Sequence, residues 1–559
     1  PTDAVEEILA GIYAQTLGLE RVSIDDSFFD LGGDSITAMQ VVARARAVGL
    51  QFRPRDVFVE QTVARLAHVA VAAEAPGADD TGTGPITPTP IMRWLADIDG
   101  PVDQFNQTLV LTAPDTVTEA DVIAVLQALL DHHPMLRLRA DIDTPDDAWS
   151  LSVPEPGAVD AAQCLHTADV LSTDTVHAAR AKLNPAAGIM LSALWVAPTH
   201  QLVLIIHHLA VDGMSWRILI EDINIAWAQQ HHRQPIELPP TGTSFARWAT
   251  LLTERAQADQ VTRHLEEWRR AAAASTGLPA VRPDADTYAT AGQLTIDLDP
   301  DTTRQLLTEV PDAFRLGVHD VLLIAFALAC TEFVGNGTGP IAIDVEAHGR
   351  DPEFDPELAT RVDLTRTVGW FTTKYPVAIT TGRPRWHQVT AGDRAVGELV
   401  KNAKEQLRRL PHPITYGLLR YLNSEADLRS ADPAIGFNYL GRLGGNAPDT
   451  PDIWRVDPDG MALAALAAAA VPTPLAHTLE LDVATIDTDH GPRLHATWTW
   501  APSALGHNDV NCLNQLWCDA LTGVCAHVRR GGGGLTPSDL GVSLSQQQLD
   551  ELQSKYADR

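Results

Sequence analysis

Residues 74–84, Glu-Ala-Pro-Gly-Ala-Asp-Asp-Thr-Gly-Thr-Gly, divide the chain. They are rich in Gly, Asp and Pro and show no apolar periodicity, which makes them a linker and forbids one continuous core across them. The 559 residues point the same way, because single cores rarely grow past about 250–300 residues. With 45% hydrophobic residues, both parts can bury cores of their own. The 41 Lys+Arg against 72 Asp+Glu give 41 − 72 = −31. That excess excludes nucleic acid and an anionic membrane surface as partners, since both demand cationic faces.

Four units follow: 1–74, a linker of 75–84, 85–530, and a tail of 531–559. In the first, Asp3 and Glu6 have capping-box spacing. Val5, Ile8, Leu9, Ile12 and Leu17 then recur on one helical face. Further helices are expected from Ile36 and from Val63. Residues 85–530 alternate strand-like and helix-like patterns, the signature of α/β layers. Gly531–Gly534 is a second break, and Leu544–Lys555 reads as a short amphipathic helix. The odd set Cys164, Cys330, Cys512, Cys518 and Cys525 lacks a C-x-x-C pair. It fits buried thiols in a reducing cytoplasm. Apolar runs such as Val321–Cys330 fall short of the about 20 residues of a bilayer span. The chain opens on Pro1-Thr2-Asp3 without Met, as expected of a piece of something longer.

Ser35 follows Gly32-Gly33-Asp34 where helical periodicity begins. Glycines permit a tight exposed turn, and a helix start favours an anion, so a phosphate on Ser35 would be well placed. A plain N-cap is the alternative. Within this helical unit, however, Asp26-Ser-Phe-Phe-Asp-Leu-Gly-Gly-Asp-Ser-Ile36 resembles the peptidyl carrier proteins of nonribosomal peptide synthetases. The resemblance implies a four-helix carrier domain with 4′-phosphopantetheine on Ser35, holding an amino acid or peptide as a thioester. Asp34 matches carriers that feed epimerization domains.

Leu202–Ile206 is a continuous apolar run, read as a strand buried on both faces. It ends in His207-His208-Leu-Ala-Val-Asp212-Gly213-Met-Ser215-Trp216, followed by a helix whose expected stripe is Trp216, Leu219, Ile220 and Ile223. Adjacent strand residues face opposite ways, so one of His207 and His208 should be structural. No third metal ligand lies at usual spacing. The string resembles the His-His-x-x-x-Asp-Gly motif of the condensation-domain superfamily, which implies a two-lobed α/β fold like chloramphenicol acetyltransferase. Carried over, His208 is the catalytic acid or base, and His207 and Asp212 are scaffolding. Asp131-His-His-Pro-Met-Leu-Arg-Leu-Arg139 matches a further segment of the superfamily, a family marker and not a second active site.

Glu346 and Arg350, at the end of the strand-like Ile341–Glu346, have the spacing of an ordinary ion pair. Yet Glu346-Ala-His-Gly-Arg350 and Thr367-Val-Gly-Trp-Phe-Thr372 resemble the paired signatures of epimerization domains, with Ala347 in place of the usual glycine. Trp216, Tyr416–Tyr421 and Phe437-Asn438-Tyr439 add to that resemblance, which runs over residues 85–530. It implies that His208 and Glu346 act as acid–base groups flanking the Cα of a carrier-bound thioester. The enolate would be stabilised by amides at the start of the Ser215 helix, or by Asn438 or Tyr439. A desolvated Glu346 would shift upward toward that task. Which base takes the L-proton stays open. The resemblance further implies an upstream adenylation domain, a downstream condensation domain and a phosphopantetheinyl transferase as partners. The tail resembles segments that dock to the next synthetase. Two rivals remain: a condensation domain, with His208 assisting amine attack, and a silent docking module.

Overall fold

The computed structural model describes residues 4–33, 35–52, 54–72, 80–141, 149–275, 277–335, 339–382, 384–428, 430–443, 453–468, 471–488, 491–540 and 548–549. The first unit holds α1 (Ala4–Leu17), α2 (Ser35–Ala47), α3 (Pro54–Glu60) and α4 (Val63–Val69). Leu9, Tyr13, Phe28, Val41, Val57 and Leu66 form a core separate from that of the rest of the chain. Tyr13 meets Phe28 edge-on at 4.9 Å. Gly33 passes so close to Phe28 that a Cβ there would lie 2.3 Å from the ring. Ile8, expected on the buried face of α1, is exposed instead. Leu19, Val48, Val59 and Val69 of the same unit are exposed as well; a small helical unit cannot cover every apolar side chain, and scattered exposed ones are ordinary.

The remaining chain forms two lobes, each built on a sheet. The N-terminal lobe contains β1 (Asn106–Thr112), β2 (Leu165–Thr167), β3 (Leu191–Val196) and β4 (Gln201–His207), in the order β1-β4-β3-β2. Arg455–Val456 returns from the second lobe to close the β1 edge. Every residue of β4 after Gln201 is buried. Leu202, Leu204 and Ile206 join the main core, whereas Val203 and Ile205 belong to a second cluster on the other face. This is why the sequence shows a continuous apolar run and no alternation. Helices α5 (Glu119–His132) and α6 (Gly213–His231) pack together.

The C-terminal lobe contains β5 (Gly292–Asp297), α7 (Val318–Val334), β6 (Ile341–Ala347), β7 (Thr373–Ile379), α8 (Arg394–Arg408), β8 (Ile435–Leu443), β9 (Leu479–Thr488), β10 (Gly491–Trp500) and α9 (His507–Arg529). Its sheet has the order β5-β10-β9-β8-β6-β7, with β6, β8 and β9 parallel. Val345, Phe437, Leu481 and Trp498 lie buried on one face. There Phe326 of α7 stacks on Phe437 at 5.7 Å, and Trp517 of α9 meets Trp498 at 6.1 Å. Side chains alternate along a strand, so the opposite face carries Asp344, Glu346, Asn438, Glu480 and Asp482. That polar face is one wall of the site. Val321–Cys330 of α7 is buried throughout, and among the described residues no single helix is long and apolar enough to cross a membrane.

Both ends of the second unit differ from the expected boundaries. Asp80 Oδ2 already accepts the Ser244 N–H at 2.8 Å, and Gly84–Ile86 pairs with Ser150–Val153. The last part of the expected linker is therefore tied to the N-terminal lobe; residues 75–79 lie outside the described residues. At the other end, Lys404 Nζ is wholly buried and donates to both carboxylate oxygens of Asp539 at 2.6 Å and to Phe314 O at 2.7 Å. Thr536 is buried with it. The first part of the expected linker or docking tail thus packs on the C-terminal lobe, through residue 540. The expected helix Leu544–Lys555 lies outside the described residues except 548 and 549. Asp539→Ala would strand the buried Lys404 charge and is expected to cost about 3–5 kcal/mol. Denaturant unfolding measures the loss, together with faster proteolysis near Gly534.

Candidate active site

Strand β4 delivers the two histidines to different places. His207 is fully buried, hydrogen-bonded through Nε2 to Val102 O at 2.9 Å and accepting the Leu209 N–H on Nδ1 at 3.2 Å. Burial holds its pKa down to about 4, so it stays a neutral tether between two segments of backbone. His208 begins a 3₁₀ turn (His208–Ala210) and is half-buried. Phe105 stacks on its ring at 5.2 Å, and Trp370 leans against it at 4.5 Å. Its Nε2 lies 2.9 Å from Gln107 Nε2. Burial lowers the His208 pKa, with Asp212 acting in the opposite direction. Neither Phe105 nor Gln107 was singled out in the sequence, since each is about a hundred residues from His208 and belongs to no local motif.

Asp212 joins the lobes. Its Oδ1 accepts the Ser215 N–H at 2.8 Å, capping α6, and Arg350 Nη2 at 2.8 Å. Its Oδ2 accepts the Phe371 N–H at 3.2 Å. Ser215 Oγ contacts both Gly369 O and Gly369 N, at 3.0 and 3.1 Å. Arg350 is buried, donates through Nη1 to Leu364 O and Thr367 O, and lies 4.0 Å over the Phe371 ring. The ion pair that sequence spacing allowed between Glu346 and Arg350 is therefore not formed. The tight turn after β6 explains why. Gly349 has φ +64°, and a Cβ there would sit 1.7 Å from Phe371 O. This turn sends Arg350 across to Asp212. The expected stripe of α6 is also rotated: Ile218, Leu219 and Ile223 are buried, whereas Trp216 and Ile220 are only partly so. Trp216 instead donates its indole N–H to Gln107 Oε1 at 2.7 Å.

Glu346 lies near the end of β6 on the polar face. Asp344 pairs with Gly436 and Val345 with Phe437, so the next rung aligns Glu346 with Asn438, which in turn pairs with Asp482. The Asn438 amide acts to lower the Asp482 pKa, against the larger effects of burial, Glu480 and Glu346. Tyr439 takes the face of Phe437, and its hydroxyl meets Thr485 Oγ1 at 3.0 Å, away from Glu346. Lys374 is the cross-strand neighbour of Glu346 yet bonds Asp344 at 2.9 Å and lies 3.8 Å over the Trp94 ring. His477 also bonds Asp344, at 2.9 Å. Burial and Lys374 oppose a charge on His477, but the Asp344 and Glu480 carboxylates outweigh them and push it up to about 9. Among the described residues no ion pair reaches Glu346. Burial pushes its pKa up to about 7; Lys374 opposes this, and Glu480 and Asp344 add to it.

The pair His132–His133 serves the N-terminal lobe. His132 bonds Pro239 O at 2.8 Å and His133 bonds the buried Asp222 at 2.9 Å. These three residues could surround a cation, but Arg366 holds the other oxygen of Asp222. In the first unit, Ser35 opens α2 directly after the Gly32-Gly33 turn, with Gly32 at φ +92°. No acidic residue occupies the first turn of α2, and the positive end of the helix dipole there favours a phosphate. These residues fit a phosphopantetheine group. Arg44 of α2 lies 4.0 Å from Glu221 of α6, and Gly32 lies against Arg442 at the end of β8.

A helical unit with a serine at a helix start, followed by two α/β lobes locked over a His-His-x-x-x-Asp-Gly turn, defines a carrier domain joined to a chloramphenicol-acetyltransferase-like enzyme fold. Two family models match: a condensation domain over residues 92–457 and a phosphopantetheine attachment site over residues 7–70. The chain is 32% and 34% identical to linear gramicidin synthase subunits C and B of Brevibacillus parabrevis, over 98% and 99% of its length. It is 33% identical to chondramide synthase cmdD of Chondromyces crocatus over 100% of its length. The chain spans 7%, 11% and 14% of these relatives. Among solved structures, it resembles the epimerization domain from the third module of tyrocidine synthetase B, with 25% identity, a TM-score of 0.67, and coverage of 82% of this chain and 100% of that one. It shares the fold of the first condensation domain of the CDA synthetase, at 15% identity and a TM-score of 0.55, covering 80% and 97% of the two chains. The chain belongs to the condensation-domain family of nonribosomal peptide synthetases, and its carrier domain is the site of 4′-phosphopantetheine attachment.

Two outcomes are expected. Asp212→Ala leaves Arg350 buried and unpaired and should destabilise the protein by about 3–5 kcal/mol in denaturant unfolding. Glu346 has a pKa of about 7 in the folded protein against an ordinary 4.5. Folding therefore tightens its proton, a stabilisation complete below pH 4.5 and lost as pH rises through 7. Glu346→Gln cannot ionise, so it should melt higher than the wild type above pH 7, with the gap closing toward pH 4.5.

Proposed function

We propose that this chain epimerizes, from L to D at Cα, an aminoacyl or peptidyl residue held as a thioester on Ser35 of its own carrier domain. The observation that carries the reading is Glu346: a carboxyl on the polar sheet face, raised to about 7 and free of ion pairs among the described residues. Inverting a carbon requires removing a proton from one face and returning one to the other. That task needs two acid–base groups with accessible proton affinities near neutrality. His208, neutral by burial, is the group from the N-terminal lobe; Glu346 is the group from the C-terminal lobe. The likeness to a tyrocidine epimerization domain supports this pairing. Peptide-bond formation, by contrast, would give a second carboxyl base no task.

Phosphopantetheine, once attached, supplies the thioester whose carbonyl acidifies the neighbouring Cα. The protein's own work is to hold that carbon between His208 and Glu346. Asp212 and Arg350 keep the two lobes, and hence the two bases, at a fixed separation. Trp370 and Phe105 cover the His208 ring and keep bulk water from competing for its proton. An adenylation domain loads Ser35 in this scheme, and a condensation domain accepts the D-configured product.

The test is exchange. Holo-protein carrying a Cα-deuterated aminoacyl group on Ser35 is expected to lose label to solvent and to accumulate the D-isomer. His208→Ala and Glu346→Ala should each slow D-isomer formation by at least about 100-fold. Ser35→Ala should abolish loading with an unchanged melting temperature. Abundant D-product from both base variants, or peptide-bond formation with no exchange in the wild type, would overturn the epimerase reading.

A further inference from the structure

Amides at the start of the Ser215 helix, Asn438 or Tyr439 were the donors expected at the thioester oxygen, and the structure engages two of these groups elsewhere. The Ser215 amide is bound to Asp212 at 2.8 Å and the Tyr439 hydroxyl meets Thr485 Oγ1 at 3.0 Å. Gln107 stands directly beside His208, its Nε2 2.9 Å from the ring Nε2. It lies on β1, paired with Ile206 of β4, so its position follows the same strand end that carries the histidines.

The orientation of its amide follows from its partners. An indole N–H can only donate. Trp216 Nε1, 2.7 Å from Gln107 Oε1, therefore fixes the amide oxygen toward itself and turns the NH2 toward His208. A ring nitrogen that faces an NH2 at 2.9 Å presents its lone pair, so resting His208 carries its proton on Nδ1. The Gln107 NH2 has two hydrogens, and His208 is its one partner among the described residues. A thioester oxygen is two bonds from Cα. A donor serving that oxygen must therefore sit beside the base that serves the carbon, and 2.9 Å is such a placement.

We infer that Gln107 is a catalytic residue: its NH2, aimed by Trp216, donates to the thioester carbonyl oxygen as negative charge collects there. The inference rests on the epimerase reading and adds to it the donor that stabilises the charge. Trp216 is then a positioning residue, acting through Gln107 and not on the substrate. The arrangement supplies a preorganised donor at the place where charge develops, the feature that oxyanion sites share.

The test uses the loaded holo-protein and follows Cα-deuterium loss. Gln107→Ala should lose about 100- to 1,000-fold in exchange rate. Gln107→Glu has the same length and still accepts the Trp216 N–H, but it cannot donate as a carboxylate; it should lose at least as much. The carboxylate should also raise the His208 titration followed by nuclear magnetic resonance, an effect that mere loss of packing would not produce. Trp216→Phe frees the amide to turn over and should cost about tenfold alone, and nothing more in the Gln107→Ala background. Should Gln107→Glu fail to fold, Trp216→Phe and the double variant decide the question. Exchange within about threefold of wild type in Gln107→Glu, or additive losses in the double variant, overturns the assignment and leaves the epimerase reading intact. A wild type that exchanges no deuterium overturns the reading and the assignment together.

Discussion

One carboxylate holds the site together. Asp212 caps α6, receives the Phe371 amide and pairs with Arg350, so helix start, lobe junction and catalytic turn share a single buried charge. The pair is not there for net stability. Desolvating two ions costs several kcal/mol each, and a buried pair often does no better than packed apolar groups. What it gives is geometry, because the two oxygens of Asp212 together satisfy donors from three segments. The same pair commits Arg350 to Asp212, and the role proposed for Glu346 depends on that. A carboxylate beside a guanidinium would be held well below neutrality and would be a poor proton carrier.

The C-terminal lobe achieves the rest by dividing its charges. Lys374 and His477 are the cations on the polar sheet face, and both bind Asp344. Gly436 makes this possible, since a Cβ at that position would lie 2.4 Å from His477 Nδ1. With its neighbouring cations committed to Asp344, Glu346 experiences burial and the repulsion of Asp344 and Glu480 more than attraction. Asp482 is raised by the same causes, burial first and then the Glu480 and Glu346 charges. Parallel pairing of β6, β8 and β9 sets these groups in rows one strand spacing apart. A bend in that register would move Glu346 relative to His208 on the other lobe.

What the sequence disclosed and what it hid follow the range of the interactions. The helix beginning at Ser35, the strand buried on both faces before His207, and the opposite fates of His207 and His208 all depend on neighbours within a few residues. The partner of Arg350 lies 138 residues away, and Gln107 lies 101 residues from His208. No spacing rule connects such positions. Trp216 illustrates the boundary well: the sequence marked it as part of an apolar stripe, yet its task is set by the one polar atom of its ring. The anchoring of the tail's first residues was hidden for a similar reason. Gly531–Gly534 looks like a break, and only the distant Lys404 reveals that the chain beyond it is anchored.

The acidic excess of −31 finds its meaning in the tether. An enzyme that must capture a free charged substrate benefits from a long-range field. In the proposed reaction the substrate is attached to Ser35 of the same chain, so its encounter with His208 and Glu346 is intramolecular and its effective concentration is set by the linker. Residues 80–84 shorten that linker by binding the N-terminal lobe. A tethered domain needs little contact energy to dock, and the Arg44–Glu221 approach at 4.0 Å between half-exposed groups is correspondingly weak. Weak docking is also what a carrier requires, because a carrier held firmly at one active site could not present its cargo at the next.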